Sequence, residues 1–242
     1  TGSGTLILSA AGNTSTGPLQ VQAGTVQFGN AGPGGESTGV GHSVAISGGA
    51  ELKFRHASAD TVTFNAPISG DGKVNFDYNN SAAGSGSLTL GGNNSFTGGL
   101  TISPSSGTTV LSLKASSTTA LGSGDVTIGQ YGKLDLNGFS NSTGLLTSTH
   151  NAASVTNDGA SDATLTLNGS GTQTFGGVIR DGVRKLAIAK SGSGSQSLTA
   201  ANTYSGDTTV SAGTLTLGQV NASNETSTVS IASGAVLNLA FS

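Results

Sequence analysis

From Gly192 to Gly218 the chain reads GSGSQSLTAANTYSGDTTVSAGTLTLG, and the same order of landmarks occurs twice more. A first block opens at Gly2 as GSGTLILSAAGNTSTGPLQVQAGTVQFG, and a second at Gly84 as GSGSLTLGGNNSFTGGLTIS. Asn202 answers to Asn94 and Asn13, and Gly206 to Gly98 and Gly17. Four residues beyond each of those glycines stands a β-branched residue, Val210, Ile102 or Val21, in a run that alternates apolar and polar side chains. Period two marks a strand with one buried side, and the i, i+3, i+4 spacing of a helix is missing.

Each block closes with a paired-strand module: SVAISGGAELKF from Ser43, DVTIGQYGKLDL from Asp125 and TVSIASGAVLNL from Thr228. The first apolar residue precedes its counterpart by eight positions in all three, Val44 before Leu52, Val126 before Leu134 and Val229 before Leu237. Asn13 and Asn94 are 81 residues apart, and Asn94 and Asn202 are 108 apart. The surplus of 27 is roughly one coil, placed near Leu145 to Leu167 where TLTL from Thr164 adds a strand. Such intervals divide into coils of about 20 to 27 residues, the range expected of solenoids.

The expected fold is therefore all-β, a right-handed parallel β-helix of about ten or eleven coils. It runs as one continuous solenoid in three blocks, about 1–83, 84–191 and 192–242. The triplets SGG and ASG leave antiparallel hairpins open for the closing modules. An antiparallel sandwich, however, gives no reason for landmarks to recur over such distances, whereas in a solenoid each coil stacks on a copy of itself. One coil cannot bury its inward Val, Ile, Leu and Phe alone, so stability grows as coils stack.

Composition narrows the class. Charged residues are 9% of the chain and there are 40 glycines but 4 prolines, far from the roughly 25% charge of ordinary soluble domains and from the charge-rich profile of disorder. A formal charge of −3 gives no attractive field for a phosphate backbone, so nucleic acid is not an expected partner. With no cysteine, neither a disulfide framework nor a thiolate metal site can form. No signal peptide and no apolar run approaching the membrane-spanning length of about 18 residues is present, so the chain reads as a piece of a larger secreted protein.

The segment AANTYSGDTTVSAGTLTLG, Ala200 to Gly218, resembles the autotransporter-associated β-strand repeat, also called the passenger-associated transport repeat. The stretch before it, TFGGVIRDGVRKLAIAKSGSGSQSL from Thr174 to Leu198, is similar to the linker that commonly leads into that repeat. Weaker copies at Gly2 to Gly29 and Gly84 to Leu113 extend the resemblance over much of the chain. It implies the passenger of a type V secretion system, exported through an outer-membrane barrel lying outside these residues. The implied location is extracellular, on a bacterial outer-membrane surface or released from it. The family supplies no catalytic residues to carry over.

Candidate chemistry is sparse. A polysaccharide-cleaving β-helix needs two or three carboxylates converging on one groove, and Asp158, Asp162 and Asp181 are the candidates, with Asp158 and Asp181 spaced to fall on neighbouring coils. Turn chemistry in NDG and RDG explains them first. His42, His56 and His150 lack any metal-ligand spacing, and the G-S-G triplets precede no helix or P-loop lysine. No cofactor and no metal is expected. Arg180, Asp181, Arg184 and Lys185 form the densest charge cluster, a candidate contact loop for a glycan or a neighbouring protein. Tyr204 and Phe96 occupy matching repeat positions, which packing accounts for.

The function expected from these observations is a non-catalytic extracellular scaffold or adhesive stalk, not an enzyme. Host or matrix glycans or proteins are its expected partners, and self-association end to end or side by side into a fibre is the alternative.

Overall fold

A computed structural model describes residues 2–9, 17–29, 42–56, 61–78, 85–104, 110–219 and 227–240. The described residues contain strands and turns and no helix. Every strand pairing among them is parallel. The chain is a β-solenoid with three faces, visited in a fixed order.

Face one is a seven-stranded ladder from Thr5–Leu8 to Leu146–Thr147, followed by a four-stranded ladder from Thr172–Phe175 to Val236–Leu239. The bridge between Ser148 and Phe175 joins the two. Face two carries three strands from Leu19–Val21 to Ile68–Gly70 and five from Asn141–Thr143 to Val229–Ile231. Backbone hydrogen bonds such as Ser95 N–H to Ile68 O (2.8 Å) and Ser123 N–H to Phe96 O (3.0 Å) connect those groups. Face three is a six-stranded ladder from Thr61–Phe64 to Val178–Ile179, extended by the bridge between Arg180 and Thr203.

Fewer coils close than the ten or eleven expected. About eight turns are stacked among the described residues.

Alternation does what the sequence predicts. Inward residues stack like on like: Leu8, Phe28, Phe54, Phe76, Ile102 and Ile128 follow one another up face one. From Phe28 to Ile128 that column is at most 1% exposed. Phe28, Phe54 and Phe64 have ring centroids 5.0 to 5.8 Å apart, within aromatic packing distance. Burying each such side chain contributes about 1.5–3 kcal/mol.

The closing modules are corners, not hairpins. Val44–Ile46 lies on face two and Glu51–His56 on face one, and both pair in parallel with other turns. One turn hydrogen bond recurs in all three modules: Ala50 N–H to Ser47 O (3.0 Å), Gly132 N–H to Gly129 O (2.9 Å) and Ala235 N–H to Ala232 O (3.1 Å). The residue before each donor has positive φ, Gly49 at 81°, Tyr131 at 61° and Gly234 at 80°. The offset of eight is thus the length of one bent corner.

The landmark alignment needs a correction. Val21 and Val210 lie on face two, but Ile102 lies on face one. Likewise Thr5–Leu8 and Ser195–Ala201 open their blocks on face one, whereas Ser87–Leu90 opens the second block on face three. The second repeat is rotated by one face relative to the other two. The interval from the second repeat to the third therefore exceeds that from the first to the second by a turn and a third, not by one coil. Period two tells inside from outside, but not which of three sides a strand occupies.

Candidate functional site

The three candidate carboxylates lie along the edge where face three turns into face two, and each has a structural task. Asp158 pairs with the Lys133 ammonium, and its own N–H donates to Asp135 Oδ1 at 2.9 Å. Asp162 Oδ1 accepts the Lys185 N–H at 3.1 Å. Asp181 Oδ1 accepts the Leu186 N–H at 2.8 Å and the Ser205 N–H at 3.0 Å, and its other oxygen accepts the Ser205 hydroxyl. As their spacing predicts, Asp158 and Asp181 fall on adjacent turns, since Arg184 N–H donates to Asn157 O at 3.2 Å. Asp162 and Asp181 thus hold backbone donors, whereas the Asp158 carboxylate holds the Lys133 ammonium.

Asp181 also shapes the candidate contact loop. It fastens the loop to the next turn, leaving Arg180, Arg184 and Lys185 exposed around Val183, which at 72% is the most exposed large apolar residue described. Among the described residues none of these three cations has a carboxylate within ion-pair distance. A pinned loop with an apolar tip and free cations is pre-organised for contact.

The other landmarks take local structural places. Asn94 Oδ1 accepts the Ile68 N–H (2.9 Å) and its amide donates to Ala120 O (2.8 Å), so one side chain ties three turns together. Asn202 Oδ1 accepts the Ile179 N–H at 2.8 Å. Gly98 and Gly206 precede strands Leu100–Pro104 and Thr208–Val210 by two residues, and a Cβ at either would come within 2.3 and 2.5 Å of a carbonyl oxygen of the turn below. Gly17 precedes Leu19–Val21 in the same way, with open space around it. Asn13 lies outside the described residues.

His42 and His150 are exposed, and the side chain of His56 lies outside the described residues. Among the described residues no group of three or more His, Cys, Asp or Glu is arranged to hold a metal. Phe96 and Tyr204 are buried at 0% and 5%, and Tyr204 shares a hydrogen bond with the Thr208 hydroxyl at 2.8 Å. Burial raises the tyrosine pKa against the opposing effect of that hydrogen bond.

Several buried polar residues were not anticipated, among them Lys190 and Gln196. Lys190 is 0% exposed in the inward column between Leu167 and Val210, and its ammonium donates to Gly192 O. Desolvation lowers its pKa. Gln196 is 1% exposed and reaches two turns down to Leu146, accepting its N–H at 2.8 Å and donating to its carbonyl at 3.0 Å. It splints face one where the seven- and four-stranded ladders meet. The signal was present in the alternation, since LAIAK and SQSL carry Lys190 and Gln196 at inward positions.

The edge where face two turns into face one has a different chemistry. Its corners are built on glycine because successive turns touch backbone to backbone: a Cβ on Gly98 would lie 2.3 Å from Gly72 O, on Gly124 2.4 Å from Gly99 N, and on Gly213 2.3 Å from Gly194 O. Corner length varies. Four residues separate Ile46 from Glu51 and Leu167 from Thr172, but only two separate Gly70 from Lys73 and Thr143 from Leu146. Along this edge runs an open trough of about 630 Å³, lined from Lys73 to Gln173. At its head the Gln173 amide donates to Asp125 Oδ2 at 3.2 Å, and Asp125 Oδ1 accepts the Leu145 N–H at 2.7 Å.

Three stretches, residues 1–28, 82–112 and 188–217, match the passenger-associated-transport-repeat. They coincide with the openings of the three blocks, so a stretch similar to that repeat recurs three times along the chain. No curated protein and no solved structure matches it.

Proposed function

We propose that this chain, which carries three autotransporter passenger repeats, forms a stretch of solenoid scaffold displayed on a bacterial outer surface, acting as a stalk without catalysis. Passenger repeats imply a secreted or surface-exposed protein. The observation that carries the mechanical reading is the stacking itself: parallel ladders over an apolar interior, with each inner turn hydrogen-bonded on both sides. The structural tasks of the three candidate carboxylates, Asp162 and Asp181 on backbone donors and Asp158 on Lys133, fit that reading.

The test is a polysaccharide-cleavage panel run beside limited proteolysis of the purified chain. Protection of the whole solenoid with no cleavage of any polysaccharide is the expected result. Cleavage that disappears in Asp158→Asn or Asp181→Asn would replace the stalk by an enzyme. Where the stalk is adhesive, we assign the contact to the Arg180–Lys185 loop, and Arg184→Glu then abolishes saturable binding to host cells or matrix.

A further inference from the structure

We infer that the glycine-floored trough between faces two and one is a binding site for an uncharged glycan chain laid along the solenoid axis. This rests on the surface-display reading above and names a ligand class for one edge of the displayed rod.

The floor comes first. Gly98, Gly124 and Gly144 cannot gain a side chain, because a Cβ at each would lie 2.2 to 2.4 Å from atoms of the turn below. The packing that builds this edge therefore keeps the trough bare, and a ligand can approach the backbone closely. The walls come next. Thr101, Thr127, Ser123, Ser170 and Asn168 present hydroxyls and an amide, groups that donate and accept equally well. Lys73 and Asp125 add one charge of each sign, so the trough as a whole is neutral. An alternating supply of donors and acceptors without net charge matches a polyol. It suits neither a polyanion, which needs several cations, nor an amphipathic segment, which needs an apolar floor.

Length agrees with this assignment. Lys73 and Gln173 lie four rungs apart on face one, on the order of 19 Å at about 4.8 Å per rung. A glycan advances by close to one pyranose ring per such rung, so the hydroxyl rows of Thr101 and Thr127, paired across adjacent strands, meet successive rings. No aromatic side chain lines the trough, which removes the stacking platform that makes many sugar sites tight. Binding by one trough is accordingly weak, roughly millimolar, and a lawn of displayed copies converts it into firm attachment by multivalency.

The experiment titrates the isotope-labelled 242-residue chain with maltotetraose, cellotetraose, chitotetraose and mannotetraose, following backbone amide shifts. At least one tetrasaccharide is expected to shift the amides of residues 98–101, 123–127 and 168–173 saturably. Thr127→Arg and Thr101→Arg, which fill the trough from the outward side of face one, weaken that binding by at least about tenfold with melting unchanged. Thr63→Lys, outward on face three and away from the trough, leaves it intact. No saturable shift with any of the four, shifts confined to the Arg180–Lys185 loop, or binding that survives both arginine variants would each overturn the site. A chain that resists protease yet binds none of the four loses the trough and keeps the stalk.

Discussion

The second repeat and the third are written in the same grammar and occupy different sides of the molecule. In the third, the strand after the landmark glycine is Thr208–Val210 on face two; in the second, it is Leu100–Pro104 on face one. Their corners nonetheless close with the same turn hydrogen bond and a positive φ at the same place. What the repeat encodes is therefore a bend between two inward-facing strands, and any edge of a three-sided rod can accept it. Phase is set by how much chain lies between repeats, and the stretch that restores it, after residue 115, is also where face one splits into two ladders.

The largest effects should come from that split. Gln196→Leu leaves the Leu146 N–H and carbonyl without their partner in the interior, at a cost of about 3 kcal/mol. Urea unfolding measures it, and a loss below about 1 kcal/mol would show that the splint is dispensable. Next comes a matched pair that tests whether the edges are equivalent. Gly98→Ala and Gly206→Ala should each cost about 2–3 kcal/mol by forcing a methyl against backbone of the turn below, whereas Gly17→Ala should be nearly neutral. Unequal losses at Gly98 and Gly206 would break the equivalence.

Lys190→Met should raise stability by about 1–2 kcal/mol, since an aliphatic side chain suits the column between Leu167 and Val210 better than an ammonium with a single carbonyl partner. The wild type should also respond to pH there. The folded pKa lies below the unfolded value of 10.5, so between the two the unfolded chain binds more protons and stability rises with pH. Below the folded pKa the penalty is complete and constant. In Lys190→Met this rise disappears from thermal melts taken over that range. The smallest effect sharpens the corner comparison: Gly49→Ala should cost about 1 kcal/mol through backbone strain alone, and Tyr131→Gly should recover about half of that by relieving the same strain in the second repeat.

Much of this was legible in the chain. Alternation located the strands, the offset of eight located the paired modules that prove to be corners, and turn chemistry placed Asp158 and Asp181 in turns, without showing that Asp181 fastens backbone donors there. Rotation of the second repeat was not legible, because a local bend carries no reference to the rest of the rod. Lys190 and Gln196 were hidden for another reason: their polar chemistry disguised inward positions that the flanking alternation already marked. Asn141, at an inward position of a polar Asn-Ser-Thr run, is 3% exposed and donates its amide to Ser117 O at 3.0 Å, a burial that its polar neighbours conceal. The glycine trough draws its lining from several successive turns, which come together only once the turns are stacked.

The rotation is tested most directly by paired nitroxide labels, which a cysteine-free chain accepts cleanly. With labels at Lys53→Cys and Thr101→Cys, both outward on face one and two rungs apart through Asn75, continuous-wave spectra should show dipolar broadening from a separation of about 10 Å. Labels at Ala45→Cys and Thr101→Cys, on faces two and one, should show much less. Strong broadening for the second pair and not the first would place all three repeats in one phase and contradict the account.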